Sequence, residues 1–586
     1  MRSNRVIATH YPLRQYAIWL LLMVGTLILA WRAYDLQIER REFLTWQADA
    51  RQQRTVNMAA YRGRILDRHG EALAISTPVD SIWVNPKEFF EQGLSDLEPV
   101  ARLARVLNLE VDRLQRRLLQ LQNKQFVYIK RHLSPVDAKA VVDLQIPGVY
   151  AQREYHRFYP TGEVTAHLLG FTNIDDQGQE GIELAFDHWL TGTPGRKKVI
   201  RNRLGQVIAD VESIKETKPG SDLKLTIDKD IQYIAYRELK KAVTKHKAKA
   251  GSVVVLDVVT GQILAMANQP TFNPNQRKNM RSRLYRNRAV TDVFEPGSTM
   301  KPFTVAAALN SGLYEPATEV NTAPGYLMVG GYTINDARNY GLLTVEQIIA
   351  KSSNVGVIKL ADAIDRETLW NVYDQVGLGH STHSGFPGES AGFLNHFSSW
   401  GRVENATLSY GYGMSVTALQ LARAYAAIAN DGLLHPISLH MAETEAPVQT
   451  MNASVARQVR RMLAKATETG GTAHRARVPG YSVAGKTGTA RQANNGGYAE
   501  DSYFSIFAGM APASQPRIVT AVVINDPTGE QYHGGQVAVP VFANINQQIL
   551  RQLNVVPDQI DGAAMAIASQ YATGQSAVRQ PVRGLQ

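Results

Sequence analysis

Ser298 and Lys301 stand three residues apart in Glu295-Pro296-Gly297-Ser298-Thr299-Met300-Lys301-Pro302-Phe303. On a helix that spacing puts both side chains on one face. Pro296-Gly297 reads as a turn. The run Phe303-Thr304-Val305-Ala306-Ala307-Ala308-Leu309 is almost wholly apolar and reads as a buried helix that Ser298 caps or begins. A serine hydroxyl attacks only when a neighbouring base takes its proton, and a lysine desolvated beside a buried helix can be that base. Backbone N–H groups at the helix start are suited to an oxyanion. Taken alone, the pair equally fits a capping serine and a snorkelling lysine.

Two further segments offer matching chemistry. Ser352 and Asn354 in Ser352-Ser353-Asn354 project to one side if the backbone is extended, and could supply a proton relay and a substrate-binding amide. Lys486-Thr487-Gly488-Thr489 lies in the strand-like run 481–490, so Lys486 and Gly488 should face one way and Thr487 and Thr489 the other. A glycine in an edge strand lets a substrate backbone approach closely. Gly480 to Thr487 also matches a P-loop letter for letter, but Pro479 precedes it and Gly488-Thr489 follow, a poor start for the helix a P-loop requires. The chain has no cysteine, which excludes thiol nucleophiles, disulfides and cysteine-ligated metals. Its 14 histidines are dispersed and no His-Glu-x-x-His occurs, so neither a metal nor a cofactor is expected.

These groups must be held by a scaffold. The run 252–257 reads as a strand and 261–266 as its hairpin partner, and strand-like runs return at 481–490, 502–510 and 517–525. Between them lies a long helical region. Capping boxes stand at Thr344-Val345-Glu346-Gln347 and Thr417-Ala418-Leu419-Gln420, and Asn430-Asp431-Gly432 forms a stop. Strands first, helices between and strands last imply an α+β fold, one sheet assembled from both ends with helices packed on it.

With 586 residues, 44% hydrophobic and 20% charged, the chain should form several globular modules. Its net charge of +11 comes from scattered lysines and arginines without long runs, which argues against nucleic acid. Residues 15–31 carry no charge and sit between Arg14 and Arg32. At about 1.5 Å per residue they come close to the thickness of a bilayer core. Trp31 and Arg32 stand where a signal-peptide cleavage site would need small residues, so the segment reads as an uncleaved anchor. Arg2, Arg5 and Arg14 would keep the tail 1–14 cytoplasmic and the remainder outside. A stalk and a mixed helix–strand region fill 32–222, the principal module 223–555, and a poorly periodic tail 556–586.

The three motifs in this order resemble those of the penicilloyl-serine transferases. Arg62-Gly63-Arg64-Ile65-Leu66-Asp67, Arg157-Phe158-Tyr159-Pro160 through His167-Leu168-Leu169-Gly170, Gly181-Ile182-Glu183-Leu184, and Ser409-Tyr410-Gly411-Tyr412-Gly413 narrow the resemblance to class B penicillin-binding proteins, septal branch. It implies a single transmembrane helix, an elongated α/β pedestal, and a transpeptidase domain with a five-stranded antiparallel sheet. The short stretch before the pedestal leaves no room for a glycosyltransferase module. The implied reaction is D,D-transpeptidation of peptidoglycan stem pentapeptides on lipid-linked precursor and glycan strands, with β-lactams as mimics. Ser298 would be the nucleophile, Lys301 the base, Ser352 a relay and Asn354 a substrate partner. Lys486 completes the catalytic set. Ser353, Thr487, Gly488, Thr489, Tyr412, Tyr532 and His533 would line the substrate, and the N–H groups of Ser298 and Thr489 the oxyanion. A polytopic glycosyltransferase and division-machinery membrane proteins would be partners at an inner membrane. His533 departs from the second aromatic usual there, and Thr487 from the serine of some septal enzymes, which points to a specialised paralogue as an alternative. The rival activities are a D,D-carboxypeptidase, a β-lactamase, or a β-lactam-binding scaffold.

Overall fold

The computed structural model describes residues 12–91, 97–201, 207–276, 281–441, 445–494 and 497–559. Most of the expected cytoplasmic tail, with Arg2 and Arg5, and all but the first residues of the expected C-terminal tail lie outside these. The chain does not divide at a single point. One compact unit comprises 1–61, 78–155 and 192–219, and the other 62–77, 156–191 and 220–586.

In the first unit, the apolar helix Pro12–Tyr34 contains the expected anchor and is buried nowhere along its length, as an all-apolar helix must be if lipid covers it. Among the described residues it is the one helix long and apolar enough to cross a membrane. A helical turn held by Arg32 and Arg40 on Asp35 leads to the helix Arg41–Gln52. Gln53–Met58, Gly195–Arg201 and Val207–Lys215 make a three-stranded antiparallel sheet. A second sheet pairs residues 80–84 with Val127–Leu133. Helices Leu97–Leu107, Val111–Gln120 and Pro135–Val142 bury Leu103, Leu107, Leu114, Leu118 and Val141 in one cluster with that sheet's Ile82, Val84, Val127 and Ile129.

The second unit is built on one antiparallel sheet. Its strands are β1 (Ala250–Asp257), β2 (Ile263–Gln269), β3 (Ala484–Asn494), β4 (Gly497–Ala511) and β5 (Ile518–Asn525), in the order β2-β1-β5-β4-β3. The first and last strands of the module thus meet at β1–β5 in register Val254↔Ala521, which closes the sheet from both ends. Every residue of β1 is buried, because both faces of the sheet are covered. Val253 and Val255 pack with α1 (Lys229–Lys245) and, near the C-terminus, α7 (Gly534–Gln552). Val254 and Leu256 face the opposite cluster, which holds α2 (Lys301–Asn310), α3 (Val345–Lys351), α4 (Asn354–Ala363), α5 (Ala418–Ala429) and α6 (Ala453–Thr467). Side chains alternate faces along a strand, and here both halves of the alternation are apolar. Both expected capping boxes form, at Thr344 and Thr417. Residues of α5 other than Arg423 are buried, and Tyr425 on it donates to the Thr299 carbonyl at 2.8 Å, so the central helix directly supports the Ser298 turn.

This unit also gathers the three N-terminal signature segments. The Arg62 guanidinium bonds Glu183 at 2.8 Å and Asp187 at 2.7 Å, and Arg157 bonds the other Glu183 oxygen at 2.6 Å. Arg157 also donates to the Gly63 carbonyl at 2.8 Å. Arg62, Arg157 and Glu183 are buried. A buried carboxylate this well paired fixes how the three segments meet.

Candidate active site

Ser298 lies in a single 3-10 turn, Gly297–Met300, and the α-helix begins only at Lys301. Ser298 therefore precedes the helix proper, half-buried, while Lys301 opens α2 and is fully buried. The Lys301 ammonium donates to the Ser352 carbonyl at 2.5 Å, to Asn354 Oδ1 at 2.6 Å and to Ser352 Oγ at 3.2 Å. From the far side Lys486 donates to the same Ser352 Oγ at 2.9 Å. All three motifs thus meet around one hydroxyl.

The Ser352-Ser353-Asn354 segment is extended only at Ser353. Ser352 ends α3 in the left-handed region, with φ 58°, and Asn354 begins α4. The helix-to-helix corner turns both side chains toward Lys301, so they share a side without the extended backbone on which the sequence reading made that conditional. Ser353, expected at the substrate, is fully buried and caps α4 by accepting from the Gly356 N–H at 2.8 Å. Its hydroxyl donates to Asp336 at 2.6 Å. Asp336 also takes the Asn354 and Val355 N–H groups at 2.5 and 3.1 Å, and so anchors the corner. Asp336 was not foreseen, because no local pattern marks it. Asn354 Nδ2 donates to the Asn335 carbonyl at 2.9 Å, which orients Oδ1 to Lys301 and leaves a second amide hydrogen free.

β3 is the edge strand and begins at Ala484, three residues later than expected, because the turn at Pro479-Gly480 is closed by a Val478–Tyr481 bridge. The strand runs through Lys486 to Asn494, where a P-loop would need a helix. The alternation holds: Lys486 and Gly488 are buried, and Thr487 and Thr489 half-buried. Gly488, however, serves the protein's own packing. A Cβ there would lie 2.9 Å from the Pro296 carbonyl and 3.0 Å from Thr299, so the missing side chain lets the Ser298 turn press onto β3. On the outer side Thr489 Oγ1 accepts from the Gly534 N–H at 3.0 Å, which leaves its own proton to donate into the cleft. Thr487 reaches Thr472 at 3.4 Å. Tyr532 stacks on Tyr503 at 4.4 Å, and exposed His533, 4.3 Å from Tyr532, stands at the start of α7. Half-buried Tyr412 lies beside Gly297.

The electrostatics single out the lysines. Burial pushes Lys301 well below the ordinary lysine range, the charge of Lys486 pushes it further, and Asp336 opposes. Burial brings Lys486 down to about 7. Two cations sharing one hydroxyl without a carboxylate in contact cannot both stay charged at small cost. A neutral amine beside a serine is the condition for general-base activation.

Residues 251–547 match the penicillin-binding protein transpeptidase domain, and 57–225 the penicillin-binding protein dimerisation domain. The chain belongs to the class B penicillin-binding proteins. It is 43% identical to the probable peptidoglycan D,D-transpeptidase PbpC of Pseudomonas aeruginosa, over 93% of this chain and 96% of that one. It is 41% identical to the peptidoglycan D,D-transpeptidase FtsI of Escherichia coli over 92% of each. Among solved structures, the transpeptidase domain of Burkholderia pseudomallei penicillin-binding protein 3 is 45% identical with a TM-score of 0.53, covering 57% of this chain and 98% of that one. Mycobacterium tuberculosis penicillin-binding protein 3 complexed with aztreonam is 29% identical with a TM-score of 0.67, covering 86% and 98%. This class B protein is accordingly a serine-type D,D-transpeptidase, and its apolar N-terminal helix fits a single-pass inner-membrane anchor.

Proposed function

We propose that Ser298 is the nucleophile of this D,D-transpeptidase, that neutral Lys301 activates it, and that the reaction serves septal peptidoglycan cross-linking. The observation carrying this reading is the convergence of Lys301 and Lys486 on Ser352 Oγ, at 3.2 and 2.9 Å, inside a buried site. Lys301 takes the Ser298 proton as Oγ adds to the penultimate D-Ala carbonyl of a stem peptide. N–H groups of Ser298 and Thr489 hold the oxyanion. As the C–N bond breaks, Ser352 passes a proton to the departing D-Ala amine, resupplied through the lysines on either side of it. An amine of a neighbouring stem then displaces Ser298 in the reverse sense. Thr487 and Thr489 donate to the terminal carboxylate, Asn354 to the peptide, and Tyr412 and Tyr532 wall the cleft. A β-lactam enters by the same route and stays as an acyl-enzyme.

Residues 32–222 form the pedestal and 223–555 the catalytic domain in this reading. Arg14 and the basic residues before it favour a cytoplasmic N-terminus and an outward catalytic domain. A polytopic glycosyltransferase and division proteins engage the anchor and pedestal. His533, where a second aromatic is usual, favours a specialised septal-branch paralogue as a second reading. Rescue of a strain depleted of its principal septal transpeptidase separates the two.

The test is labelling with a fluorescent penicillin followed by peptide mapping. Label on Ser298, abolished in Ser298→Ala at unchanged melting temperature, is expected. Label surviving in that variant would overturn the assignment.

A further inference from the structure

Glu295 carries a carboxylate that the chemistry above leaves unused, three residues before the nucleophile. Its Oε1 accepts from the Gly413 N–H at 2.9 Å and from the Tyr498 hydroxyl at 3.1 Å. Oε2 is shut off from solvent and has no hydrogen-bond partner among the described residues. The two donors come from separate segments. Gly413 ends the Tyr410-Gly411-Tyr412-Gly413 loop, and Tyr498 begins β4, opposite Ala493 of β3. Glu295 itself belongs to the nucleophile turn. One carboxylate therefore joins three segments that surround Ser298.

Other contacts show what that junction holds. The Gly297 N–H donates to the Gly411 carbonyl at 3.0 Å, and the two backbones are so close that a Cβ on Gly411, whose φ is +84°, would fall 2.2 Å from the Gly297 carbonyl. Tyr412 packs edge-on against Tyr498 at 5.6 Å. Its ring lies near Gly297, and its hydroxyl is hydrogen-bonded to the backbone of Arg491 on β3. Between Arg491 and Ala493 the register of β3 with β4 shifts, and pairing resumes at Ala493↔Tyr498. The Glu295 carboxylate, a charge-assisted acceptor, adds a tie from the resumed pair to the nucleophile turn.

We propose that Glu295 is a positioning residue for acylation: it ties the Tyr412 loop and the β3–β4 hairpin to the nucleophile turn, and so sets Tyr412 and the Thr489 strand at the spacing from Ser298 that the acyl donor requires. This deepens the Ser298 reading and rests on it. Glu295 is held in a costly state to do so. Burial raises its carboxyl pKa, opposed by the Gly413 N–H and the Tyr498 hydroxyl, while burial and the Glu295 charge raise the Tyr498 phenol. A desolvated carboxylate oxygen without a partner costs stability.

The experiment measures the second-order rate of Ser298 acylation by a fluorescent penicillin, with melting temperature, for the full chain and for Glu295→Ala, Glu295→Gln, Tyr498→Phe and the Ala/Phe double variant. Misplacement of this kind costs on the order of 10- to 100-fold. Glu295→Ala should lose that much without a comparable loss of melting temperature. Glu295→Gln, whose amide oxygen can still accept both bonds, should recover to within about threefold. Tyr498→Phe should lose several-fold, and nothing further in the Glu295→Ala background, because the two act as one unit. The proposal is overturned if Glu295→Ala acylates within about threefold of the parent, if Glu295→Gln is as slow as Glu295→Ala, or if the Tyr498 effect persists undiminished in the double variant. Should the parent not label at Ser298, the functional reading fails instead, and this inference with it.

Discussion

Two clusters of buried charge lie in the second unit, and they are built on opposite plans. Around Glu183, two guanidiniums meet a carboxylate at 2.8 and 2.6 Å, with Asp187 beside them. Around Ser352 two buried ammonium groups meet a neutral hydroxyl, and the nearest acid, Asp336, is occupied with Ser353, Asn354 and Val355. The first cluster is close to charge-balanced and every Glu183 oxygen is used, so the segments stay locked. The second is unbalanced, and its lysines must surrender protons. Pairing opposite charges makes a joint, while crowding like charges without a counter-ion makes a base.

Exchanging the perturbation between the clusters should separate rate from stability. Lys301→Ala removes the base, and acylation should fall by about 10²–10⁴-fold. Its melting temperature should hold, because the variant no longer buries a strained amine. Glu183→Gln leaves two buried guanidiniums short of an anion, and should lose about 3–5 kcal/mol of stability, read by denaturant unfolding. The fraction that remains folded should acylate normally. Equal loss of both properties in both variants would erase the distinction.

A smaller effect separates the clusters by pH. With a folded value of about 7 against an ordinary 10.5, Lys486 is neutral when folded and charged when unfolded across that window. The unfolded state then binds more protons, so stability should rise with pH from about 7 towards 10.5. In Lys486→Met the rise should shrink, which thermal unfolding of the Ser298→Ala background can follow without turnover. Glu183→Gln, which leaves Lys486 in place, should keep the rise.

How much of this could be read from the sequence depended on how local the cause was. Capping boxes at Thr344 and Thr417 and the alternation around Lys486 are decided within a few residues, and each was legible. The five strands were legible to within a few residues at their ends, since apolar runs bounded by turns leave few options. How Ser352 and Asn354 come to share a side was not legible, because two helices meet there at a left-handed Ser352, and short spacing cannot tell a corner from a strand. Ser353 was credited with substrate contact for its place in the motif, though its neighbours spend its hydroxyl on capping. Asp336 and Glu295 could not be assigned a role at all, since their partners are 17 to 203 residues away in the chain. At Gly488 the close approach that the structure contains is that of the protein's own Ser298 turn.

The claim that a desolvated Lys301 is the base is tested most directly by the pH dependence of Ser298 acylation, measured from pH 5 to 11 with one penicillin. The account predicts a rate that climbs with a single limb well below the ordinary lysine value of 10.5 and is flat from there upward, the limb vanishing in Lys301→Ala. A rate that keeps rising through 10.5, or a limb that survives in Lys301→Ala, would contradict it.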